Sequence, residues 1–322
     1  MSPRLLQLSD VIIDLLYEVE AVPKAGEEAI VHGFSIKPGG GFNAMVAAKR
    51  TGMDVFYGGA LGSGPFARIA REGLNQEAIP VLRPQDTERD QGCCTVMIDR
   101  SGERTFVASD GAEGRATRNV VSSLTESNFD WALLSGYALH NRCSRTAIQS
   151  WLQSSAPATR LVFDPSPMVA ELEPEAVAAA CERATWISAN VSEAAVLTGT
   201  TDPARAAISL VAKMSDGGGV VVRDGKRGCF VATKTECQKI GAFDVIAIDT
   251  NGAGDTHLGS FTARLAAGDT PVDAARYANV AAALSTMIRG PATAPIVEDV
   301  IAALNQQQAI QPAFAEINPM GG

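Results

Sequence analysis

Dense basic runs, paired cysteines and long hydrophobic stretches are missing from this chain, and each absence closes a class of function. Lysine and arginine number 27 against 36 acidic residues, a formal charge of −9 over 322 residues. Nucleic acid binding depends on cations that neutralise phosphates, so no nucleic acid partner is expected. A local site can still oppose the global sign, which leaves a small anionic ligand open. The cysteines at 93, 94, 143, 181, 229 and 237 contain no CxxC pair. Neither a zinc site nor a disulfide framework follows from them, and free thiols in a reducing cytosol are the expectation. The only histidines, His32, His140 and His257, lack metal spacing, so each is expected in packing or an ordinary polar contact. A short apolar stretch near the N-terminus is interrupted by Asp10, Asp14 and Glu18. It reads as neither a signal peptide nor a membrane span, so a cytoplasmic protein with no membrane partner is expected.

What is present is a globular composition, 46% hydrophobic and 20% charged, on a chain long enough to bury a substantial core. Apolar runs alternate with helical segments. "VFYGGAL" (55–61), "WALLSG" (131–136) and "RLVFDPSP" (160–167) each lead into a helix-like or turn segment, and "ATWISANVSEAAVLTG" passes from strand to helix near Asn190. Such alternation predicts an α/β fold with a doubly wound, mostly parallel central sheet, whose ligands gather beyond the carboxyl ends of the strands. "GVVVRDGKRGCFVA" (219–232) reads as a hairpin. Residues 30–41 and 91–109 are rich in β-branched and aromatic residues, and "DRSGER" supplies a turn within the second, so a small β-sheet excursion is expected there. One domain over residues 1–310 is expected, with 311–322 as a loose tail.

The clearest helices lie near the C-terminus. From Asp255 the apolar residues Leu258, Phe261 and Leu265 recur at helical spacing until Gly268 stops them. A second helix is expected from Thr270 as N-cap, with Pro271 and Asp273 in its first turn, to Arg289. Between the strand "VIAID" and the first of these helices stands "TNGAG", a glycine turn at a positive helix end, where the N–H groups of Gly252, Ala253, Gly254 and Asp255 would converge. Asp255 has the wrong sign for that place. It is either a helix-capping acid or a general base on a hydroxyl that attacks a phosphate held in the turn.

"KPGGGFNAMVAAKRTG" (37–52) offers a glycine turn followed by Asn43, whose amide suits polyol recognition or an N-cap. A rival reading exists. Gly62, Gly64 and Ala67 form a GxGxxA after a strand and before a helix, with Asp86 about twenty residues on, the pattern of dinucleotide binding in an NAD-dependent oxidoreductase. Pro65 and the position in the second strand-helix unit weigh against it. No GxxxxGK[ST] loop and no GxSxG elbow occurs.

Taken together, these residues resemble the ribokinase-like (PfkB) family of carbohydrate and nucleoside kinases, from Asp14 to about Pro295. "DTNGAGD" is similar to that family's C-terminal signature. The resemblance implies Asp255 as catalytic base and Gly252, Ala253 and Gly254 as the anion hole. It places Asp14, Gly39, Gly40 and Asn43 on a sugar or nucleoside, and Asn190, Arg223, Gly225, Gly228 and Asn279 on ATP. Glu193 would organise Mg²⁺ through water, and Asp249 would lie beside a monovalent cation such as K⁺. Segments of about 14–37 and 91–110 would form a β-sheet lid, through which a homodimer could pair. The implied activity is transfer of the γ-phosphate of ATP to a sugar hydroxyl; a nucleoside kinase, the oxidoreductase and a non-catalytic binding relative are the alternatives. The chain departs from the family pattern at Ser63, Asn251 and His257, and Arg223 puts a cation where threonine is usual.

Overall fold

The apolar runs fold as β1 (Arg4–Gln7), β2 (Val11–Val19), β3 (Val31–Gly40), β4 (Asp54–Tyr57), β5 (Cys93–Ile98) and β6 (Arg104–Ser109). They continue as β7 (Trp131–Ser135), β8 (Arg160–Asp164), β9 (Trp186–Asn190), β10 (Gly219–Arg223), β11 (Cys229–Thr233) and β12 (Cys237–Ile240). The computed structural model describes residues 2–115, 124, 129–154, 159–215 and 217–306. The tail expected over 311–322 lies outside the described residues.

Eight strands form the main sheet in the order β12-β11-β10-β9-β8-β7-β1-β4. All neighbours from β10 to β4 are parallel. The β10–β11 and β11–β12 pairs are antiparallel, which makes residues 219–232 the expected hairpin. Parallel strands must bury both faces, and alternate residues here do so in two separate cores. Leu5, Leu133, Val162 and Val221 face the helices Gly41–Arg50, Ala253–Ala266 and Pro271–Ser285. Leu6, Leu134, Phe163 and Val222 face the helices on the opposite side. The doubly wound α/β class read from the sequence is therefore the observed one.

The excursion is a second sheet, β3-β2-β5-β6, with β2–β3 and β5–β6 antiparallel and β2–β5 parallel. Its first two strands run from Val11 to Gly40, slightly wider than the expected 14–37. Phe34, Ile36 and Val107, which the register sets on one side of the strands, leave an apolar face of it exposed. Two ion pairs tie it to the body: Arg104 of β6 with Asp249, and Arg289 with Glu18 of β2 at 2.8 Å.

The helix Pro271–Ser285 ends at Ser285 instead of running to Arg289. The chain leaves it because the Thr286 carbonyl accepts the N–H groups of Ile248 and Asp249 at 2.8 and 2.9 Å. That bends residues 286–290 toward the Asp249 loop, where the Gly290 N–H meets the Asp249 carboxylate.

The helices Gly41–Arg50 and Ala253–Ala266 pack closely because Gly259 has no side chain. A Cβ there would stand 2.3 Å from the Ala44 carbonyl oxygen and 2.8 Å from the Ala47 Cβ. Since a backbone atom cannot yield as a side-chain tip can, Gly259→Ala should push the helices apart and cost about 1–3 kcal/mol. Urea unfolding at unchanged m-value reads the loss; a wild-type midpoint would show that the contact is slack.

Candidate active site

The turn "TNGAGD" folds as the start of helix Ala253–Ala266, with Gly252 as its N-cap at φ 71°. That left-handed backbone is open to glycine at little cost and aims the following N–H groups into one concavity. Asp255 sits in the first turn of this helix, yet makes no capping bond to it. Its carboxylate instead accepts a hydrogen bond from the Asn43 amide at 3.1 Å. Asn43 is correspondingly not an N-cap. Its helix starts at Gly41, and its side-chain Oδ1 accepts the Ala292 N–H at 2.9 Å. The capping alternatives for both residues fall away, and residues 212 positions apart are joined across the site.

Around Asp255 opens a cavity of about 1080 Å³, large enough for two small ligands placed end to end. Asp14, Gly40 and Asn43 line one half; Asn190, Arg223, Gly225, Gly228 and Asn279 line the other; Gly252, Ala253, Gly254 and Asp255 stand between. Gly39 lies beneath the first half, where a Cβ would come within 2.2 Å of the Asp14 carboxylate. Burial, with the Asp255 charge added, pushes Asp14 up to about 7, against the pull of Arg104. Burial and then Asp164 push Asp255 up to about 6, opposed by the Asn43 hydrogen bond and Arg223. A carboxyl poised near neutrality is suited to taking a proton.

In the other half, "NVSE" forms a capping box: the Asn190 side chain accepts the Glu193 N–H at 2.9 Å, and Glu193 accepts the Asn190 N–H at 2.8 Å. Arg223, at the end of β10, reaches Asp164 at 3.0 Å and Glu193 at 3.4 Å through Nη2. Burial alone would weaken its hold on the proton, but Asp164, Glu193 and Asp255 more than offset that and raise it. A Cβ on Gly254 would lie 2.7 Å from Arg223 Nη1, so the guanidinium stands directly over the helix end. Glu193 is pushed up by burial and by Asp164, with Arg223 opposing.

Both Glu193 oxygens are engaged by Asn190, and among the described residues no cluster of three metal ligands occurs. The hard oxygen donors of Glu193 and Asp164 therefore suit Mg²⁺ held through its waters, the way this ion is commonly bound beside phosphates. Asp249 does not suit a monovalent cation at its carboxylate. That group already has Arg104 as counter-ion and accepts the N–H groups of Asn251 and Gly290 at 2.9 Å each. Asn251 thus contributes its backbone there. Asn279 lines the cavity, but its amide donates to the Gly241 carbonyl at 2.9 Å. His257, 3% exposed, also lines the cavity. Burial and the Arg223 charge hold it neutral, down to about 3, with Asn279 opposing.

The GxGxxA rival has a structural explanation. The helix end behind it is capped by Asp90, whose carboxylate accepts the N–H groups of Phe66 and Ala67 at 3.1 and 2.8 Å. An acid already fills the place a pyrophosphate would take. Sequence reasoning passed over Asp164, Asp10 and Glu113, all of which line the cavity. Asp164 alone had a signal, as an acid at the carboxyl end of a buried strand in a doubly wound sheet.

The profile of the pfkB family of carbohydrate kinases matches residues 3–298. The sugar kinase YegV of Escherichia coli is 28% identical over 91% of this chain and 91% of its own. The ribokinase of Haemophilus influenzae is 26% identical over 90% of this chain and 94% of its own. Among solved structures, the ribokinase of Cryptococcus neoformans in complex with ADP superposes with a TM-score of 0.78 at 22% identity, covering 94% of this chain and 99% of the other.

Proposed function

The chain belongs to the pfkB family of carbohydrate kinases and is an ATP-dependent phosphotransferase; we propose that Asp255 is the base that activates a hydroxyl of its sugar or sugar-like acceptor. The observation that carries this reading is Asp255 itself: a carboxyl raised to about 6, held by Asn43, at the helix end where an anion would sit. Asp14 and Asn43 hold the acceptor so that one hydroxyl faces both Asp255 and the γ-phosphate. Asp255 takes the hydroxyl proton, the oxygen bonds to the γ-phosphorus, and the bond from phosphorus to the β–γ bridging oxygen breaks to release ADP. The N–H groups of residues 252–255 and the Arg223 guanidinium offset charge on the transferred phosphoryl oxygens. When bound with ATP, Mg²⁺ supplies further charge neutralisation; Glu193 and Asp164 would hold it through water. The β3-β2-β5-β6 sheet acts as a lid over the acceptor and excludes water that would otherwise take the phosphate. Its exposed apolar face supports pairing of two copies through the lid.

The base must be ionised to act, so kcat/KM is expected to fall as pH drops through about 6, the value of Asp255. Asn43→Ala removes the hydrogen bond that favours the ionised form. It should therefore move that limb upward, whatever it does to the plateau. A profile that stays flat from about pH 5 to 8 in the wild type would remove Asp255 from the role.

A further inference from the structure

The acceptor half of the cavity has a one-sided charge that bears on which substrate it takes. Asp10, Asp14, Asp110 and Glu113 all line it, and among the described residues no lysine or arginine does. The nearest cations are set back or engaged. Arg104 is ion-paired with Asp249, Arg83 donates to the Arg115 carbonyl at 3.4 Å, and neither lines the cavity. Lys37 lies opposite Asp14 in the β2–β3 register but is exposed and outside the wall.

Nor are these acids free to swing away. The Glu113 carboxylate is pinned by the N–H groups of Gly92 and Gly111 at 2.8 and 2.7 Å and by the Gln91 amide at 3.1 Å. Asp14 lies against the bare backbone of Gly39. Asp10 is raised by burial and then by the charges of Glu113 and Asp110, against Arg83, so the carboxylates already repel one another.

A second observation is independent of charge. Gln7 is 1% exposed and lines the same half. Its amide nitrogen is anchored on the Gly41 carbonyl at 3.3 Å, while its Oε1 has no hydrogen-bond partner among the described residues. A buried acceptor left without a donor is costly and asks for one from a ligand. Hydroxyl groups provide donors; carboxylate and phosphate oxygens do not.

We propose that this half of the cavity selects an uncharged, hydroxyl-rich acceptor and rejects acceptors that already carry a carboxylate or a phosphate. The inference rests on the kinase reading and narrows it. Neutral sugars, polyols and nucleosides remain, while sugar acids and sugar phosphates are excluded. In a reaction sequence the enzyme then performs the first phosphorylation of a neutral molecule, and its product must be consumed by a step that acts on a sugar monophosphate.

The test uses matched pairs, ribose with ribose 1-phosphate and glucose with gluconate, together with inosine. Binding is read by thermal shift in the presence of a non-hydrolysable ATP analogue, and turnover separately by ADP release. Like charges placed together cost enough that the uncharged member of a pair should be favoured at least about tenfold, in binding and in kcat/KM. Asp110→Asn should narrow that gap; the wild-type pairs decide the matter if the variant does not fold. Preference for the anionic member in either pair overturns the inference and leaves the kinase reading standing. Binding of the uncharged members without ADP release from any of them upholds the inference and defeats the kinase reading instead.

Discussion

Asp255→Asn is expected to lower kcat by about 10²–10⁴-fold while leaving nucleotide binding intact. Asparagine is nearly isosteric, so the turn Gly252–Gly254 and its N–H groups keep their places. The amide can neither accept the hydroxyl proton as a base nor repel the γ-phosphate as an anion. Nucleotide binding, read by thermal shift with ADP, should stay near wild type or tighten, since a charge of the wrong sign has gone. The same substitution removes one of the causes that raise Asp14, which should fall from about 7 toward the ordinary carboxylate range. Near-normal turnover in this variant would falsify the assignment, and lost ADP binding would mean that the carboxylate supports the fold of the turn.

The second large effect is expected at Arg223. Its guanidinium reaches Asp164 and Glu193 together, and Nη1 lies over Gly254 at the helix end. Arg223→Ala should lower kcat by about 10²–10³-fold, the scale on which loss of one preorganised charge acts at a developing anion. It should also leave Asp164 and Glu193 unpaired in a largely buried place, which costs about 3–5 kcal/mol. Arg223→Lys separates the two effects. It restores a charge for pairing and hence much of the stability, but a single ammonium cannot span both acids and the phosphoryl group, so turnover should recover only in part. Urea unfolding and kcat at saturating ATP measure the two independently. If Arg223→Ala unfolds earlier but turns over normally, the arginine is a structural counter-ion and not part of the chemistry.

Much of the site was legible in the sequence for physical reasons that are local. "GVVV" and "WALLS" have the unbroken apolar character that a strand covered on both faces requires. Thr270-Pro271 marks a helix start by capping chemistry alone, and the Thr270 hydroxyl indeed accepts the Asp273 N–H at 3.1 Å. "NVSE" likewise encodes its own capping box. The end of the helix Pro271–Ser285 was not legible, because the Thr286 carbonyl is used by Ile248 and Asp249, residues far back in the chain.

The roles of Asn43 and Asp255 show the division most clearly. By itself the sequence determined an α/β chain with a glycine turn at a helix N-terminus and an acid behind it, since turn chemistry and apolar periodicity act over a few residues. It left open whether those two residues cap their helices or face a ligand. Tertiary structure removed the capping alternative and set both on the cavity wall, through the close approach of two helices at Gly259 and the hydrogen bond between Asn43 and Asp255. Tertiary packing also brought Arg223 to Asp164 and Glu193, and gathered Asp10, Asp14, Asp110 and Glu113 on the cavity wall. Burial and long-range charge set the protonation of these groups, and neither exists until residues distant in the chain are brought together.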